Sequence, residues 1–331
     1  LEARELNKAH TTFIDTLLQH ETKGRIHSEI HQLRSERGGT VSGRMSYSNP
    51  NLQQVPARNK DIGPLIRSLF IPEEDCVWGA FDYSQQEPRL VVHYASVLNY
   101  ESVVPVLNAY NKDEVDFHQI VADMANIPRS HAKLINLGLF YGMGKKKLSE
   151  QLDLDWNESE ALFNKYHSHV PFVRQLMNYT SQRANEVGSI KTIGGRKCRF
   201  NMWEPDTKGF HKAMPFDQAN KEYGKHMALK RAFTYKALNR LIQGSAADQT
   251  KAAMVLLYKE GIIPHIQVHD ELDISVHDQQ QVNRIVEIME SSISLKVPNK
   301  VDAEYGPNWG EAKTTFSEKP LTRGLSGNHS V

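Results

Sequence analysis

The amino-acid sequence predicts an α+β fold, in which short strands pack against amphipathic helices. Residues 77–81 form a short apolar run, the pattern of a buried strand, and a polar cluster that opens with Asp82 follows directly. Apolar and polar residues alternate over 266–276, as they do in a half-buried strand or hairpin. Apolar residues at helical spacing over 282–293 predict an amphipathic helix.

Length and composition are those of an ordinary globular protein. The chain of 331 residues is long enough for two domains, with 39% hydrophobic and 24% charged residues. The net charge of +1 indicates no general affinity for nucleic acid, so any basic surface must be local. Two cysteines support no disulfide framework and favour a reducing compartment. We expect no membrane segment, because no apolar run approaches the ~20 residues that span a bilayer.

The other elements follow from periodicity and turn signals. Helical patterns predict helices over 1–34, 90–98, 157–167, 171–185 and 217–239. Residues 190–200 resemble a hairpin that turns at two glycines. Ser245 and Asp248 have the spacing of a capping box, which predicts that a helix starts there and ends at Gly261. The chain begins at Leu1 rather than at methionine, so we expect a fragment of a longer protein without a signal peptide.

Asp270 lies in an unusual position within the alternating segment. It has the parity of the apolar residues, so on one continuous strand it would face the core. A buried carboxylate without a partner is very costly. Either the chain turns at His269 and Asp270, or a positive group meets Asp270, or both. A divalent metal would also give Asp82 a partner.

The most informative helix is predicted over 128–141. A stripe along one face of this helix contains, at steps of four residues, Arg129, Lys133, Leu137 and Tyr141. Two cations, an apolar residue and a phenol in this order suit the phosphates, the sugar and the base of a nucleoside triphosphate. A solvated face that ends in core residues explains the same spacing, because basic pairs four residues apart are common on exposed helices.

Together these features predict a metal-dependent enzyme that acts on phosphates. Two aspartates on neighbouring strands can hold paired Mg²⁺ ions, which stabilise the attacking and leaving oxygens in phosphoryl transfer. Magnesium keeps several waters and is completed by substrate phosphates, so two protein carboxylates suffice. A hydrolase would satisfy these features equally well.

Seven motifs, in order along the chain, resemble those of the DNA polymerase I family, also called family A. Residues 82–89 (DYSQQEPR) resemble its first palm motif, 129–142 (RxxxKxxxLGxxYG) its fingers helix, and 267–271 (QVHDE) its second palm motif. Supporting matches occur at 42–44, 51–56, 116–118 and 243–248. The resemblance extends from about residue 23 to Lys313 and covers the C-terminal polymerase region of the family.

The resemblance implies a right-hand polymerase fold, with a palm of antiparallel sheet and packed helices and a mainly helical fingers subdomain. The expected divisions are 1–35 as the remnant of the connection to the thumb, 36–104 and 231–313 as the two parts of the palm, 105–230 as the fingers, and 314–331 as a loose C-terminal tail.

The implied function is template-directed DNA synthesis by two-metal nucleotidyl transfer, with release of pyrophosphate, in DNA replication or repair. The alternative is a two-metal phosphodiesterase or nuclease, which would need neither the cationic stripe nor a sugar gate. The implied partners are primer–template DNA, deoxynucleotides and accessory replication proteins, without a membrane. The implied location is the cytoplasm of a bacterial or phage-infected cell.

The resemblance also assigns roles to single residues. Asp82 and Asp270 would hold two Mg²⁺ ions, or Mn²⁺ in their place, with help from the Tyr83 carbonyl. Lys133 would protonate the leaving pyrophosphate, which makes it catalytic beside the two aspartates. The residues expected at the nucleotide are Gln85, Glu87, His118, Arg129, Lys133, Leu137 and Tyr141, with Glu87 as the gate against the 2′ hydroxyl. The residues expected at the DNA are Arg44, Asn239, Gln243, His269 and Glu271.

Several positions depart from the family pattern. Leu137 stands where an aromatic residue is usual, and the segment between His118 and Arg129 is shorter than in bacterial members. Both features resemble bacteriophage members of the family. Tyr235 occupies a position often held by arginine, so the resemblance implies no DNA contact there.

Leu137→Tyr is expected to lower discrimination against dideoxynucleotides. Leucine has no hydrogen-bonding atom to replace the missing 3′ hydroxyl of a chain terminator, whereas a phenol would donate one hydrogen bond. Such a bond to a charged acceptor is worth about 1.5–3 kcal/mol, or roughly tenfold to a hundredfold in relative kcat/KM. The measurement is the ratio of kcat/KM for deoxy- over dideoxynucleotides. Leu137→Phe is the control, and equal gains in both variants would show that shape alone matters.

Overall fold

The computed structural model describes most of the chain as two compact units. The described residues are 7, 9–36, 38–56, 59, 61–112, 116–140, 145–207, 209 and 211–321, with the backbone alone at 137, 139, 140 and 145. The sheet unit is drawn from 1–86, 249–294 and 299–331, and the helical unit from 87–248 and 295–298.

The described residues contain both strands and helices. The strands are β1 (Glu21–Thr22), β2 (Arg25–Ile26), β3 (Glu29–His31), β4 (Ser46–Ser48), β5 (Val77–Tyr83), β6 (Ser189–Lys191), β7 (Lys197–Arg199), β8 (Met202–Pro205), β9 (Met214–Pro215), β10 (Leu229–Arg231), β11 (Ile266–Val268), β12 (Glu271–Val276), β13 (Val301–Gly306) and β14 (Thr314–Thr315). The α-helices are α1 (Asp15–His20), α2 (Ile62–Arg67), α3 (Gln86–Val97), α4 (Val104–Asn111), α5 (Phe117–Ala125), α6 (Arg129–Phe140), α7 (Lys145–Leu152), α8 (Trp156–His169), α9 (Pro171–Val187), α10 (Phe216–Glu222), α11 (Ala237–Lys259) and α12 (Gln279–Ser291). Short 3₁₀ or π turns cover His10–Ile14, Leu52–Gln54, Glu101–Val103, Thr234–Lys236 and Trp309–Glu311. Among these helices, none is long and apolar enough to cross a membrane.

The sheet unit is built on a five-stranded sheet with the order β11-β12-β5-β13-β14. Its strand pairs are antiparallel, and central β5 pairs with β12 on one side and with β13 on the other. One face, which includes Phe81 and Leu272, is buried in a core to which α12 contributes Val282, Ile285 and Met289. The α+β class and the stripe over 282–293 are therefore confirmed.

The helical unit buries one large apolar cluster. Among its fully buried members are Phe117, Ile135, Tyr166, Phe172 and Leu176. Asp155 starts α8 with a capping box, in which its carboxylate accepts from the Glu158 backbone N–H over 2.8 Å. The predicted helices over 90–98, 128–141, 157–167 and 171–185 are confirmed as α3, α6, α8 and α9, and the hairpin over 190–200 as β6 and β7.

The predicted helix over 1–34 is wrong beyond His20, where α1 ends. A hairpin of β1 and β2 follows, and its two turn residues, Lys23 and Gly24, have φ of 55° and 76°. Positive φ at both central positions is typical of the turns that join tightly paired strands, and glycine adopts it without strain. The turn at Lys23 and Gly24 therefore favours a hairpin over the helix that the polar pattern predicts.

The predicted helix over 217–239 is also wrong in its middle. α10 ends at Glu222, β10 follows, and α11 begins only at Ala237. At Gly224 a Cβ atom would lie 2.7 Å from the carbonyl oxygen of Asn220. Only glycine fits so close to the preceding helical turn, and its small size allows the chain to leave α10 there.

The capping box predicted at Ser245 is wrong, because α11 runs through it without a break. Ser245 is fully buried inside the helix. Its hydroxyl lies 2.7 Å from the Tyr94 hydroxyl and accepts from the Ile193 backbone N–H over 3.1 Å. The serine thus links α11 to α3 and to the hairpin of β6 and β7, and it does not cap a helix.

Asp248, the other residue of that pattern, fixes the hairpin of β6 and β7. Its carboxylate accepts from the Gly194 backbone N–H over 3.1 Å and from the Arg196 Nε over 3.0 Å. The predicted end of the helix is close to the observed one, because α11 ends at Lys259 and Gly261 has a φ of 76°.

The predicted loose tail is wrong at its start. Thr314 and Thr315 form β14 and pair with β13. Phe316 is buried, with its ring centroid 4.5 Å from that of Tyr305. Apolar burial therefore orders this segment, whereas residues 322–331 lie outside the described part of the chain.

Ser245→Ala is expected to destabilise the protein by about 1–3 kcal/mol, the cost of leaving buried polar groups without a partner. Urea unfolding of the variant, of Tyr94→Phe and of the double variant gives the coupling between the two hydroxyls. Because the groups are in contact, the double variant should lose less than the sum of the single losses. Strict additivity would show that the Ser245–Tyr94 hydrogen bond contributes nothing.

Candidate active site

Two aspartates meet at the end of the central sheet. Asp82 is the second-last residue of β5, and Asp270 lies in the two-residue turn between β11 and β12. His269, the other residue of that turn, has a φ of 59°. The Tyr83 backbone N–H donates to the Asp270 carbonyl oxygen over 3.4 Å, which ties the end of β5 to the turn. The chain therefore turns at Asp270, one of the two explanations that the sequence leaves open.

Strand register places four acids on the same sheet face as Asp82. Glu271 and Asp302 are its direct partners on β12 and β13, and Asp273 and Glu304 follow two residues along those strands. Directly opposite residues project from the same face of a sheet. Sequence reasoning misses Asp273, Asp302 and Glu304. The available signal is that acids occupy alternate positions in β12 and β13.

These acids make one another harder to ionise. Asp82 is exposed in part, yet the loss of water around its carboxylate raises its pKa most, and neighbouring carboxylates raise it further, to about 8. Burial likewise raises the pKa of Asp270 and of Glu271. Desolvation and like charge both favour the protonated form of a carboxyl group. The positive charge near these acids is therefore too small to offset their burial and mutual repulsion.

Arg44 supplies part of that charge. Burial raises the pKa of Asp270, and the nearby Arg44 guanidinium partly opposes this effect. Burial and then Arg44 lower the pKa of His269. A positive group thus meets Asp270, so both explanations offered by the sequence hold. The structure brings together four predicted residues here: Asp82, Arg44, His269 and Asp270.

Asp273 is the deepest acid of the face and is held by a tryptophan. The Trp78 Nε1–H donates to Asp273 Oδ1 over 2.8 Å, and the aspartate is fully buried. Burial raises its pKa well above the ordinary value, and the charge of Glu271 raises it further. Arg67, whose guanidinium lies 4.3 Å from the centre of the Trp309 ring, lowers it. Asp273 is thus suited to remain protonated.

The donor set fits a hard divalent cation. Among the described residues, no group of three or more His, Cys, Asp or Glu side chains is arranged to hold a metal ion by itself. Magnesium suits an open site because it keeps waters and takes phosphate oxygens as further ligands. Neighbouring carboxylates raise the pKa of Asp82, and a cation bound between Asp82 and Asp270 would relieve the same repulsion once both had lost their protons.

The residues that follow β5 are held in defined conformations. The Tyr83 hydroxyl donates to the Met289 carbonyl oxygen over 2.7 Å and lies 3.0 Å from Ser292 Oγ, which anchors the strand end. Gln85, in the sheet unit, has a φ of 53°. Glu87, in the helical unit, is buried at the first turn of α3.

A cationic cluster lies on α5 and α6 in the helical unit. Arg129 starts α6, and its Nε donates to Asp116 Oδ2 over 2.6 Å. The other oxygen of Asp116 accepts from the His118 backbone N–H over 2.9 Å and so caps α5. One carboxylate therefore positions both the predicted arginine and the helix that carries the predicted histidine. Lys133 is exposed one turn along α6.

A buried chain of hydrogen bonds orients His118. The Tyr166 hydroxyl donates to Asn136 Oδ1 over 2.5 Å, and Asn136 Nδ2 donates to His118 Nδ1 over 3.1 Å. Asn136 and Tyr166 are fully buried, and His118 is nearly so. With Nδ1 as acceptor, the neutral ring carries its proton on Nε2. Sequence reasoning misses Asn136 and Tyr166, since only the fold brings α8 to α6.

The surroundings of His118 favour its neutral form. Burial lowers the pKa of this histidine, the charge of Asp116 partly opposes the effect, and Lys133 and Arg129 lower the pKa further. The electrostatic influence of both cations shows that they lie near the ring. His118, Arg129 and Lys133 therefore lie close together, and their binding of a triphosphate stays a prediction.

The remaining predicted residues are Asn239, Gln243, Leu137 and Tyr141, and Tyr235 is the position at which no contact is predicted. Asn239 and Gln243 lie one turn apart on α11, in the helical unit, and both are half-buried. Leu137 lies within α6, whose backbone alone is described there, and Tyr141 lies outside the described residues. Tyr235 is 58% exposed, and Lys236 Nζ lies 5.5 Å from the centre of its ring.

Comparison with known proteins gives one consistent answer. The family model described as DNA polymerase family A matches residues 1–311. The DNA-directed DNA polymerase of Pseudomonas phage M6 is 36% identical over 94% of this chain and 50% of its own length. The thermostable DNA polymerase I of Thermus aquaticus is 33% identical over 95% of this chain and 36% of its own length.

A solved structure shares the fold. It is the POL domain of Pol1 from M. smegmatis in complex with DNA primer-template and dNTP, with a TM-score of 0.75 and 28% identity over 93% of this chain and 52% of that chain. The chain thus spans about half the length of the phage relative and of the solved chain. The right-hand polymerase fold is confirmed, and the chain belongs to DNA polymerase family A.

Proposed function

We propose that the chain is a template-directed DNA polymerase, which adds deoxynucleotides to a primer 3′ end and releases pyrophosphate. The observation that carries the proposal is the meeting of Asp82 and Asp270 at the end of the central sheet, in a chain of family A. The names of the phage and bacterial relatives support this activity, as do the primer-template DNA and dNTP in the M. smegmatis complex.

Asp82 and Asp270 would hold two Mg²⁺ ions, or Mn²⁺ in their place, together with the Tyr83 carbonyl oxygen. Two such metal ions would supply positive charge to the attacking and leaving oxygens of an in-line displacement. Asp82 would serve without its proton, and the neighbouring carboxylates that raise its pKa would favour a cation in the place of that proton. The hydrogen bonds at both ends of Tyr83 keep the strand end rigid while the charge changes.

His118, Arg129 and Lys133 would bind the triphosphate. The neutral His118 would offer its Nε2–H to a phosphate oxygen, because Nδ1 already accepts from Asn136. Arg129, held by Asp116, would meet a second phosphate oxygen as a charged donor. Lys133 would stabilise the developing charge and protonate the pyrophosphate as it leaves.

The other roles extend the same proposal. Glu87 would exclude the 2′ hydroxyl of a ribonucleotide, and the further nucleotide contacts would come from Gln85, Leu137 and Tyr141. The primer–template contacts would come from Arg44, Asn239, Gln243, His269 and Glu271. The palm would comprise 36–104 and 231–313, and the fingers 105–230. Accessory replication proteins would be further partners, in the cytoplasm of a bacterial or phage-infected cell.

A two-metal nuclease is the alternative that the carboxylates alone would permit. The cluster around His118 favours nucleotidyl transfer, because a triphosphate needs several donors beyond those at the metal ions. Primer extension with deoxy- or ribonucleotides, with and without Mg²⁺, tests the two functions. A polymerase lengthens a labelled primer with deoxynucleotides and Mg²⁺, whereas shortening without any extension would establish the nuclease.

Asp82→Asn or Asp270→Asn is expected to remove nearly all nucleotide addition, because an amide cannot supply the charge that holds the cation. Primer–template binding should largely survive, since phosphate contacts dominate such affinity. The measurements are single-turnover extension and fluorescence anisotropy of labelled DNA. Asp82→Asn should also unfold at a higher temperature than the parent, because it removes one carboxylate from between the directly opposite acids Glu271 and Asp302.

Asp75→Asn is the matched control for these two variants. Asp75 is exposed and has a φ of 59°, a conformation that asparagine adopts as readily as aspartate. It should extend primers at the parent rate. Near-normal extension by Asp82→Asn or Asp270→Asn would contradict the assignment of both aspartates.

His118 is expected to titrate below its ordinary pKa of 6.5. Burial disfavours the imidazolium, and so does the positive charge of Lys133, so Lys133→Ala should move the pKa upward. The titration is followed by NMR of the His118 ring, where the Nε2–H form should also be seen at neutral pH. Lys146→Ala, an exposed lysine on α7, should leave the value unchanged. A pKa at or above 6.5 in the parent would refute the orientation proposed for His118.

A further inference from the structure

A cavity of about 400 Å³ lies between α3, α9, α11 and the hairpin of β6 and β7, within the helical unit. Its walls are largely apolar, with contributions from Val97, Leu98, Leu176, Ile190 and Leu241. The volume is within the range of pockets that bind small organic molecules, ~300–1,000 Å³. None of the roles proposed above uses this cavity.

Two tyrosines give the cavity aromatic surface. The hydrogen bond between the hydroxyls of Tyr94 and Ser245, 2.7 Å long, fixes the Tyr94 ring in place. Tyr179 is 40% exposed on α9 and adds a second ring to the lining. An aromatic body inside the cavity would therefore meet rigid apolar and aromatic walls, which favour ring-to-ring contact.

The charged residues that line the cavity are all positive. They are Arg183 on α9, Lys191 on β6 and Lys197 on β7, and all three are exposed. No carboxylate appears among the described residues of the lining. Within the described part of the chain, none of the three cations has a carboxylate within ion-pair distance. Three positive charges thus line the cavity, and none of them has a carboxylate partner among the described residues.

Lys191 and Lys197 are also direct cross-strand partners. Like charges directly opposite each other on a sheet are destabilising. Their neighbours Ile190 and Cys198 are buried partners in the same ladder, so the hairpin cannot shift its register to separate the lysines without exposing both. An unfavourable local arrangement that the rest of the fold maintains is expected mainly at functional sites.

We propose that this cavity binds an organic phosphate, with an aromatic or other apolar body in the cavity and the phosphate group at Lys191, Lys197 and Arg183. The phosphate relieves the repulsion between the lysines, and Arg183 offers paired donors to two of its oxygens. The apolar walls distinguish this site from a surface for the DNA backbone, which would need the cations but no cavity. The inference is independent of the proposed polymerase activity.

The test uses the full chain and 1-naphthyl phosphate as the probe, with binding measured by isothermal titration calorimetry. Inorganic phosphate lacks the apolar body, and 1-naphthol lacks the charge. The naphthyl phosphate should bind at least tenfold more tightly than either. Equal affinity for inorganic phosphate would show that the lysines attract any anion, and no measurable binding of 1-naphthyl phosphate would exclude the site. Both results would overturn the proposal.

Lys191→Glu separates the two contributions of the lysine pair. It converts the repelling pair into an opposite-charge pair, so the unfolding temperature without ligand should rise. The affinity for 1-naphthyl phosphate should fall at least tenfold in the same variant. Lys197→Glu should reproduce both effects, because the two lysines face each other. Lys221 is an exposed residue of α10, and Lys221→Glu is the control that should leave the affinity unchanged.

Two further outcomes would overturn the proposal. One is a Lys191→Glu variant that keeps the parent affinity for 1-naphthyl phosphate. The other combines two results. The Lys191→Glu variant loses tenfold in affinity for primer–template DNA, and the parent binds 1-naphthyl phosphate no better than inorganic phosphate. In that case the three cations would belong to a nucleic-acid surface.

Discussion

Repulsion among carboxylates on one face of the central sheet is the constraint on which the sheet unit depends. Strand register sets Asp82 between Glu271 and Asp302, and like charges placed so directly oppose sheet formation. The opposite face compensates, because side chains such as Phe81 and Leu272 are completely buried there. Full burial of a side chain of this size contributes about 1.5–3 kcal/mol. Burial of the apolar face therefore holds the acids together in spite of their charge.

The helical unit solves a different problem, that of orientation. Asn136 is completely buried, but its amide both accepts from Tyr166 and donates to His118, so its main hydrogen-bonding groups are satisfied. A satisfied polar network in a core restricts a side chain to one rotamer and one protonation form. The hydrogen bond from Asn136 orients the His118 ring, burial favours its neutral form, and Asp116 orients Arg129 in a similar way. In the sheet unit, carboxylates lie close together without full compensation of their charge. In the helical unit, satisfied hydrogen bonds fix the orientation of the His118 and Arg129 side chains.

Local sequence patterns predict the elements that local physics decides. The run before Asp82 and the helix that carries Arg129 and Lys133 could be predicted from periodicity, whereas periodicity left the turn at Asp270 as one of two explanations. Patterns fail where tertiary contacts override them. Ser245 is of a residue type that often caps helices, yet it lies in the middle of α11, where its hydroxyl forms hydrogen bonds with the Tyr94 hydroxyl and the Ile193 backbone N–H. The role of Asn136 could not be predicted either, because its partners His118 and Tyr166 lie on two other helices, 18 and 30 residues away.

Register also explains why the positions of Asp82 and Asp270 depend on the core. Side chains alternate along a strand, so a slip of β5 by one residue would turn Asp82 into the apolar core and bring Phe81 and Tyr83 among the acids. Two observations oppose such a slip: Phe81 stacks on Phe316, with ring centroids 6.1 Å apart, and the Tyr83 hydroxyl is bonded to the Met289 carbonyl oxygen. The core face therefore sets the position of a carboxylate that it never touches. Since the Tyr83 N–H also binds the Asp270 carbonyl, the same anchor fixes the second aspartate, and the two acids keep their relative position as a consequence of packing on the opposite face of the sheet.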